Sequence, residues 1–389
     1  MADVIFGELE QLVKTQGVKK AIDHLAEQMI ARKDYNKLFY TLLVKSRLEL
    51  GLNVVPTAPS NDIPVDKQEK FEDNIRLSAR NVAELFLKEN NLEQAWNFYR
   101  MIGETEPIKA AIDAMEPKPE DEMEVPIRLA FYEGLNMPLG FDWILERYGL
   151  CNAITTLTSQ DFSQMPAVRE YCLQKLIRAL YDELAIRLRN EIEKHDGNKS
   201  GVEKIPVGEA GEIKKLIANR PWLFEEDNYH IDLSHLSSAV QMSIHLPGCK
   251  ELEMALELCA YGKNLSVRFL GKSEPPFENL YESYGKYLEI NAGRDVEKNL
   301  DYFRNIAKEN EPDGSSYPAE VLLQLLEKLG KSEEALELAG KTLNASGLYG
   351  MCSKAGNFKP MQLAAQAQDD PVHFLAALIE VDKQVKIAK

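Results

Sequence analysis

What the chain lacks narrows its reading first. Its five cysteines, Cys151, Cys172, Cys249, Cys259 and Cys352, are odd in number, widely spaced and without a C-x-x-C pair. That pattern argues against a disulfide framework or a zinc–cysteine site, and for small buried residues in a reducing compartment, with the cytoplasm expected. No run of about 18 apolar residues occurs, so no transmembrane helix and no membrane partner are expected. The opening residues MADVIFGELEQLVKTQG carry acids within the first ten positions and no basic region before an apolar one, so they do not read as a signal peptide. Basic charge is short too. Against 62 Asp and Glu stand 46 Lys and Arg, and the formal net charge of −16 opposes a phosphate backbone, so no nucleic acid is expected as partner. Also missing are the G-x-S-x-G elbow, the Walker pattern and the G-x-G-x-x-G fingerprint, which removes the familiar routes to a hydrolase or nucleotide site.

What is present is a chain of 389 residues, 44% hydrophobic and 28% charged, long enough to bury a sizeable core. Its apolar period is helical throughout, with no sustained alternation of the kind a strand needs. Residues 3–14, 18–32 and 34–51 read as three helices, the last opening at an Asp34 cap. The stretch 53–66 follows, where Pro56, Pro59 and Pro64 exclude a helix and predict a loop. A helix over 66–90 and a second from Asn91 come next, and 166–194 reads as one long helix with mixed charge on its open face. Residues 195–211, HDGNKSGVEKIPVGEAG, hold four glycines and Pro206 and read as a linker between residues 1–194 and 212–389.

Small and large residues recur in these helices at a definite spacing. Val82, Ala83 and Phe86 precede Ala95, Tyr99 and Pro107, with Ala79 and Asn90 at two further positions of the pattern. Met242, Ser243, Leu246, Ala255 and Cys259 fall in the same register, as do Tyr287, Ile290, Asn299, Phe303, Ile306 and Pro312. Leu322, Leu326, Gly330, Ala335 and Ala339 repeat it 36 positions on, counted from Phe303 to Ala339. This register resembles the tetratricopeptide repeat, with Ala79 where the repeat has an early Trp and Asn90 where it has an inter-helix Gly. The resemblance implies an all-α fold of stacked antiparallel helical hairpins in a right-handed superhelix, here in two lobes. It also implies a scaffold whose curved surface binds a peptide or a segment of a partner protein.

Two features could carry a site. Three of the six histidines, His230, His235 and His245, fall within residues 229–262, which read as two helices joined at a Pro-Gly turn. His230, Asp232 and His235 form H-x-D-x-x-H, whose two imidazoles and carboxylate could ligate a divalent metal such as zinc and activate water, with Glu226 and Tyr229 nearby. The alternative needs no cofactor: Asp232 caps the following helix, and His235 shares a stripe with Ala239, Met242 and Leu246 that turns it into the inter-helix core. The wheel turns His245 about 80° from His235, at about 100° per residue. The second feature is the series Phe277, Tyr281, Tyr284 and Tyr287 on one helical face, which lines either a ligand groove or the core between hairpins. Trp222, after Arg220-Pro221, reads as an anchor or as part of a binding surface.

Overall fold

A computed structural model describes residues 2–56, 63–197, 200–270, 273–310 and 317–387. Among these residues the chain is all helix and turn, with no strand. Pro59 of the proline-rich loop, Asn198 and Lys199 of the glycine-rich stretch, and Pro312 lie outside the described residues. Consecutive helices pack as neighbours, and the chain divides by contact into two compact units, Met1–Gly149 and Leu150–Lys389. The division falls at a kink, where Gly149 takes φ 73° and ψ −174° inside a helix.

The first unit comprises α1 (Ala2–Gln16), α2 (Val18–Ala31), α3 (Tyr35–Glu49), α4 (Val65–Lys88), α5 (Leu92–Ile102), α6 (Glu106–Asp113), α7 (Glu124–Ile127) and the first part of α8 (Met137–Ser159). The boundaries follow local chemistry. Asp34 caps α3 by accepting the Lys37 N–H at 3.1 Å, and Asn91 caps α5 by accepting that of Gln94 at 3.1 Å. Asn90 turns the chain between α4 and α5 with φ 58°, the left-handed conformation that glycine takes most easily and asparagine next. An Asn at the repeat's glycine position therefore keeps the same turn. Ala79, Val82, Ala83 and Ala95 are fully buried, and small side chains there let α4 and α5 approach. Tyr35, Phe39, Phe86 and Phe98 fill the space towards α3, with Tyr35 and Phe86 edge to face at 5.0 Å. A π-helical turn at Arg128–Tyr132 then meets α8 at Gly140, where a Cβ would stand 2.7 Å from the Phe131 nitrogen.

The second unit holds the rest of α8, then α9 (Pro166–Asp196), α10 (Glu212–Ile217), α11 (Leu233–Met242), α12 (Lys250–Gly262), α13 (Leu280–Asn291), α14 (Val296–Asn310), α15 (Tyr317–Lys328), α16 (Ser332–Thr342), α17 (Ala345–Ala355), α18 (Lys359–Ala367) and α19 (Pro371–Ile387). From α11 onwards each helix packs on the next, and α11 with α13, α16 with α18 and α17 with α19 also meet. Nearest-neighbour packing with a next-but-one contact is the arrangement of stacked helical repeats. Asn299, which stands where the repeat has a small residue, is buried, and its amide donates to Glu289 Oε2 at 2.8 Å.

The described part of the glycine-rich stretch is bound to the unit rather than free of it. Arg189 on α9 donates to Glu212 Oε1 at 2.6 Å and to the carbonyls of Val202 at 2.7 Å and Ile205 at 2.8 Å. Glu212 Oε2 accepts the Gly208 N–H at 2.6 Å. Gly211 has no side chain to cap α10, and the Glu257 carboxylate of α12 fills that role by accepting from the N–H groups of Gly211 and Lys214. The Tyr181 hydroxyl accepts the Glu212 and Ile213 N–H groups at 3.1 Å each. Its single proton goes to Glu257 Oε2 at 2.8 Å or to the Glu209 carbonyl at 3.0 Å. A run that composition marks as a linker is thus fixed by side chains from α9, α10 and α12.

Tyr181→Phe removes the hydroxyl from a fully buried ring and leaves two N–H groups and a carboxylate short of a partner. Urea unfolding is expected to show a loss of about 1.5–3 kcal/mol, the range for hydrogen bonds to charged groups. A loss under about 0.5 kcal/mol, the size of an ordinary surface substitution, would contradict the described network.

Candidate functional site

Asp232 is the N-cap of α11, its Oδ1 accepting the Ser234 N–H at 2.8 Å and the His235 N–H at 3.2 Å. Those bonds, led by the Ser234 hydroxyl, hold its carboxyl below the usual range. His235 is half-buried at the edge of the stripe whose Ala239 and Leu246 are fully buried, and its ring makes no hydrogen bond among the described residues. The expected turn of His235 into the inter-helix core is therefore only partial.

His230 takes the buried position instead. The Tyr261 hydroxyl accepts its backbone N–H at 2.8 Å and lies 3.1 Å from its Nδ1, with the Phe224 ring beside both. A hydroxyl that donates to Nδ1 leaves the ring proton on Nε2, which is buried without a partner. Burial holds this imidazole below its ordinary value, and Glu191 pulls weakly the other way. His230, Asp232 and His235 thus have three separate surroundings and do not converge. Among the described residues no group of three or more His, Cys, Asp or Glu is arranged to hold a metal ion.

Tyr281, Tyr284 and Tyr287 are buried together with Phe277. Phe277 stacks on Tyr284 at 3.9 Å and meets Phe303 of α14 at 6.3 Å, while Tyr287 meets Phe303 edge to face at 6.0 Å. Burial pushes the Tyr281 and Tyr287 phenols up to about 12. This face packs between hairpins. Its tightest point is Gly262, where a Cβ would stand 2.4 Å from the Tyr281 ring. Trp222 is half-buried and stacks on His195 at 3.8 Å and 15°, so the indole pins the connector to the end of α9.

Two openings escaped the sequence reading. In the first unit α1, α2 and α3 enclose a cavity of about 480 Å³. Ile5, Ile22 and Met29 form its buried floor, and Phe6 and Tyr40 stand at its edge, 63% and 66% exposed. Arg32 and Lys37 add positive charge to the rim. The signal in sequence was the surplus of apolar residues on three short helices, more than a two-helix contact uses. In the second unit a smaller cavity of about 220 Å³ lies between the end of α8, the start of α9 and the turn after α11, with Asp161, Arg169 and His245 on its wall. Its charged residues come from three distant positions, and no local spacing announces them.

Gly262→Ala is expected to cost about 1–3 kcal/mol in urea unfolding, the price of forcing a methyl group into a packed ring, while Gly7→Ala, in open space, is expected to be near neutral. The buried His230 gives a pH signature of defined sign. Its folded form resists a proton that the unfolded chain accepts, so stability is intact above about pH 6.5 and falls as pH drops through that value, by at most about 1.4 kcal/mol per unit. His230→Phe is expected to flatten that slope in part, since His245 contributes with the same sign, and an unchanged slope between wild type and variant would refute the assignment. Compared with known proteins, the chain matches no family profile, no curated protein and no solved structure.

Proposed function

We propose that this chain is a tetratricopeptide-like scaffold that captures an apolar segment of a partner protein in the groove between α1, α2 and α3. The observation that carries the reading is the open apolar cavity of about 480 Å³ with Phe6 and Tyr40 standing free at its edge. Fully exposed aromatic rings gain little from water, and a concave apolar site with few polar groups is what a helix or extended peptide fills with its own apolar face. Arg32 at the rim, beside a Lys37 already paired with Asp34 at 2.7 Å, favours an occupant with an acidic residue beside its apolar stripe.

The stacked helices supply the rigid wall that such a groove needs, in a right-handed superhelix of the kind the repeat register implies. The odd number and wide spacing of the five cysteines are in keeping with work in the cytoplasm. A metal-dependent enzyme at His230, Asp232 and His235 has less in its favour, because His230 is taken up by Tyr261 and Asp232 by the cap of α11, while no group of three or more His, Cys, Asp or Glu among the described residues is arranged to hold a metal ion.

A fluorescent amphipathic peptide with a leucine face and glutamates at its border tests the groove by anisotropy. Binding in the micromolar range is expected, weakened at least about tenfold by the double variant Phe6→Asp, Tyr40→Asp, whose exposed positions leave the fold intact. Equal binding by the variant would overturn the groove as the site.

A further inference from the structure

The smaller cavity has a different chemistry from the groove. Its inner surface is apolar, with Leu157, Phe162 and Leu173, while Arg169 and His245 reach its wall from α9 and from the turn after α11. Lys328 of α15 is not part of the lining but lies next to the His245 segment, its Nζ donating to the Ile244 carbonyl at 3.4 Å. Among the described residues neither Arg169 nor Lys328 is in an ion pair, although the chain as a whole carries 62 acids against 46 cations.

The one acid on this wall, Asp161, is held in place by Ser163 and acts through its charge on Arg169. Its carboxylate accepts the Ser163 N–H at 2.8 Å and the Ser163 hydroxyl at 3.1 Å. The groups facing His245 are thus Arg169 and Lys328, with Asp161 across the cavity. Although His245 keeps an exposed edge, its packed surroundings and then the two cations hold its imidazole below the ordinary value. Lys328 lies at an exposed position. Asp161 acts on Arg169 through its charge, while Arg169 and Lys328 both oppose a proton on His245, and an incoming anion relieves that opposition.

We propose that this cavity binds a small doubly charged anion, a phosphate or a short dicarboxylate, held by Arg169, Lys328 and His245. The Arg169 guanidinium offers a planar pair of donors to two anion oxygens, and Lys328 adds a point charge. His245 takes up a proton as the anion arrives, so binding tightens as pH falls towards the imidazole range. A volume of about 220 Å³ lies below the roughly 300–1,000 Å³ of drug-sized sites, which restricts the ligand to a few heavy atoms and excludes a nucleotide. The site is independent of the groove, in the other unit of the chain.

Calorimetry on the full chain at low salt decides the matter with three probes. Sulfate keeps its two charges throughout, and is expected to bind with a dissociation constant of about 1 mM or tighter near pH 6 and more weakly near pH 7.5. Arg169→Gln and Lys328→Gln are each expected to weaken it at least about tenfold, with thermal unfolding checking that both variants are folded. His245→Gln, at an exposed position, is expected to abolish the pH dependence. Phosphate and succinate compared near pH 7.5 identify the source, since binding of either supports the site. No binding of any of the three, or equal sulfate binding by wild type, Arg169→Gln and Lys328→Gln, overturns the proposal. As a readout that needs no variant, sulfate is expected to shift the His245 imidazole proton signals, and their failure to move overturns it as well.

Discussion

Glu257 and Glu212 are buried in the second unit, and each collects hydrogen bonds from a part of the chain that has no regular structure of its own. Glu257 closes the open end of α10, whose cap residue is a glycine. Glu212 takes the Arg189 guanidinium on one oxygen and a backbone N–H on the other. Removing water from a carboxylate costs several kcal/mol unless its lone pairs are filled, so the loop and helices must be correctly placed together or not at all. The joint between α9, α10 and α12 is therefore specified by polar geometry, whereas the later hairpins are held mainly by apolar faces.

That difference explains what could be read in the sequence. Helices that bury a stripe at regular spacing announce themselves, and the pattern of Val82, Ala83, Phe86, Ala95 and Tyr99 is realised as the α4–α5 pair, with Asn90 serving the turn. Caps at Asp34, Asn91 and Asp232 are equally local, since the donor lies two or three residues from the acceptor. Composition misleads over residues 200–211 because the partners that fix it, Tyr181, Arg189 and Glu257, are up to 46 positions away. The same limit governs the site. Counting histidines drew attention to His230 and His235, but a position in a chain does not say which way a ring points. His230 points into the fold and His235 to its edge.

The two cavities divide the chemistry of the molecule between its units. One is wide, apolar and edged with exposed aromatic rings, the other narrow and cationic. The second opening takes its positive groups from Arg169 and His245 on its wall and from Lys328 near by, against the single carboxylate of Asp161. Neither opening uses the buried tyrosines of α13, whose rings meet α12 and α14 so closely that only glycine fits opposite Tyr281.

The stacking of Trp222 on His195 has a further use. Of the three tryptophans, Trp96 and Trp143 are buried in the first unit, and only Trp222 lies against an imidazole, a group that quenches indole emission on contact. A chain in which the other two are phenylalanine would carry a built-in optical gauge of whether the connector remains seated on α9. Light would then report on the joint made by the buried carboxylates without a label attached to it.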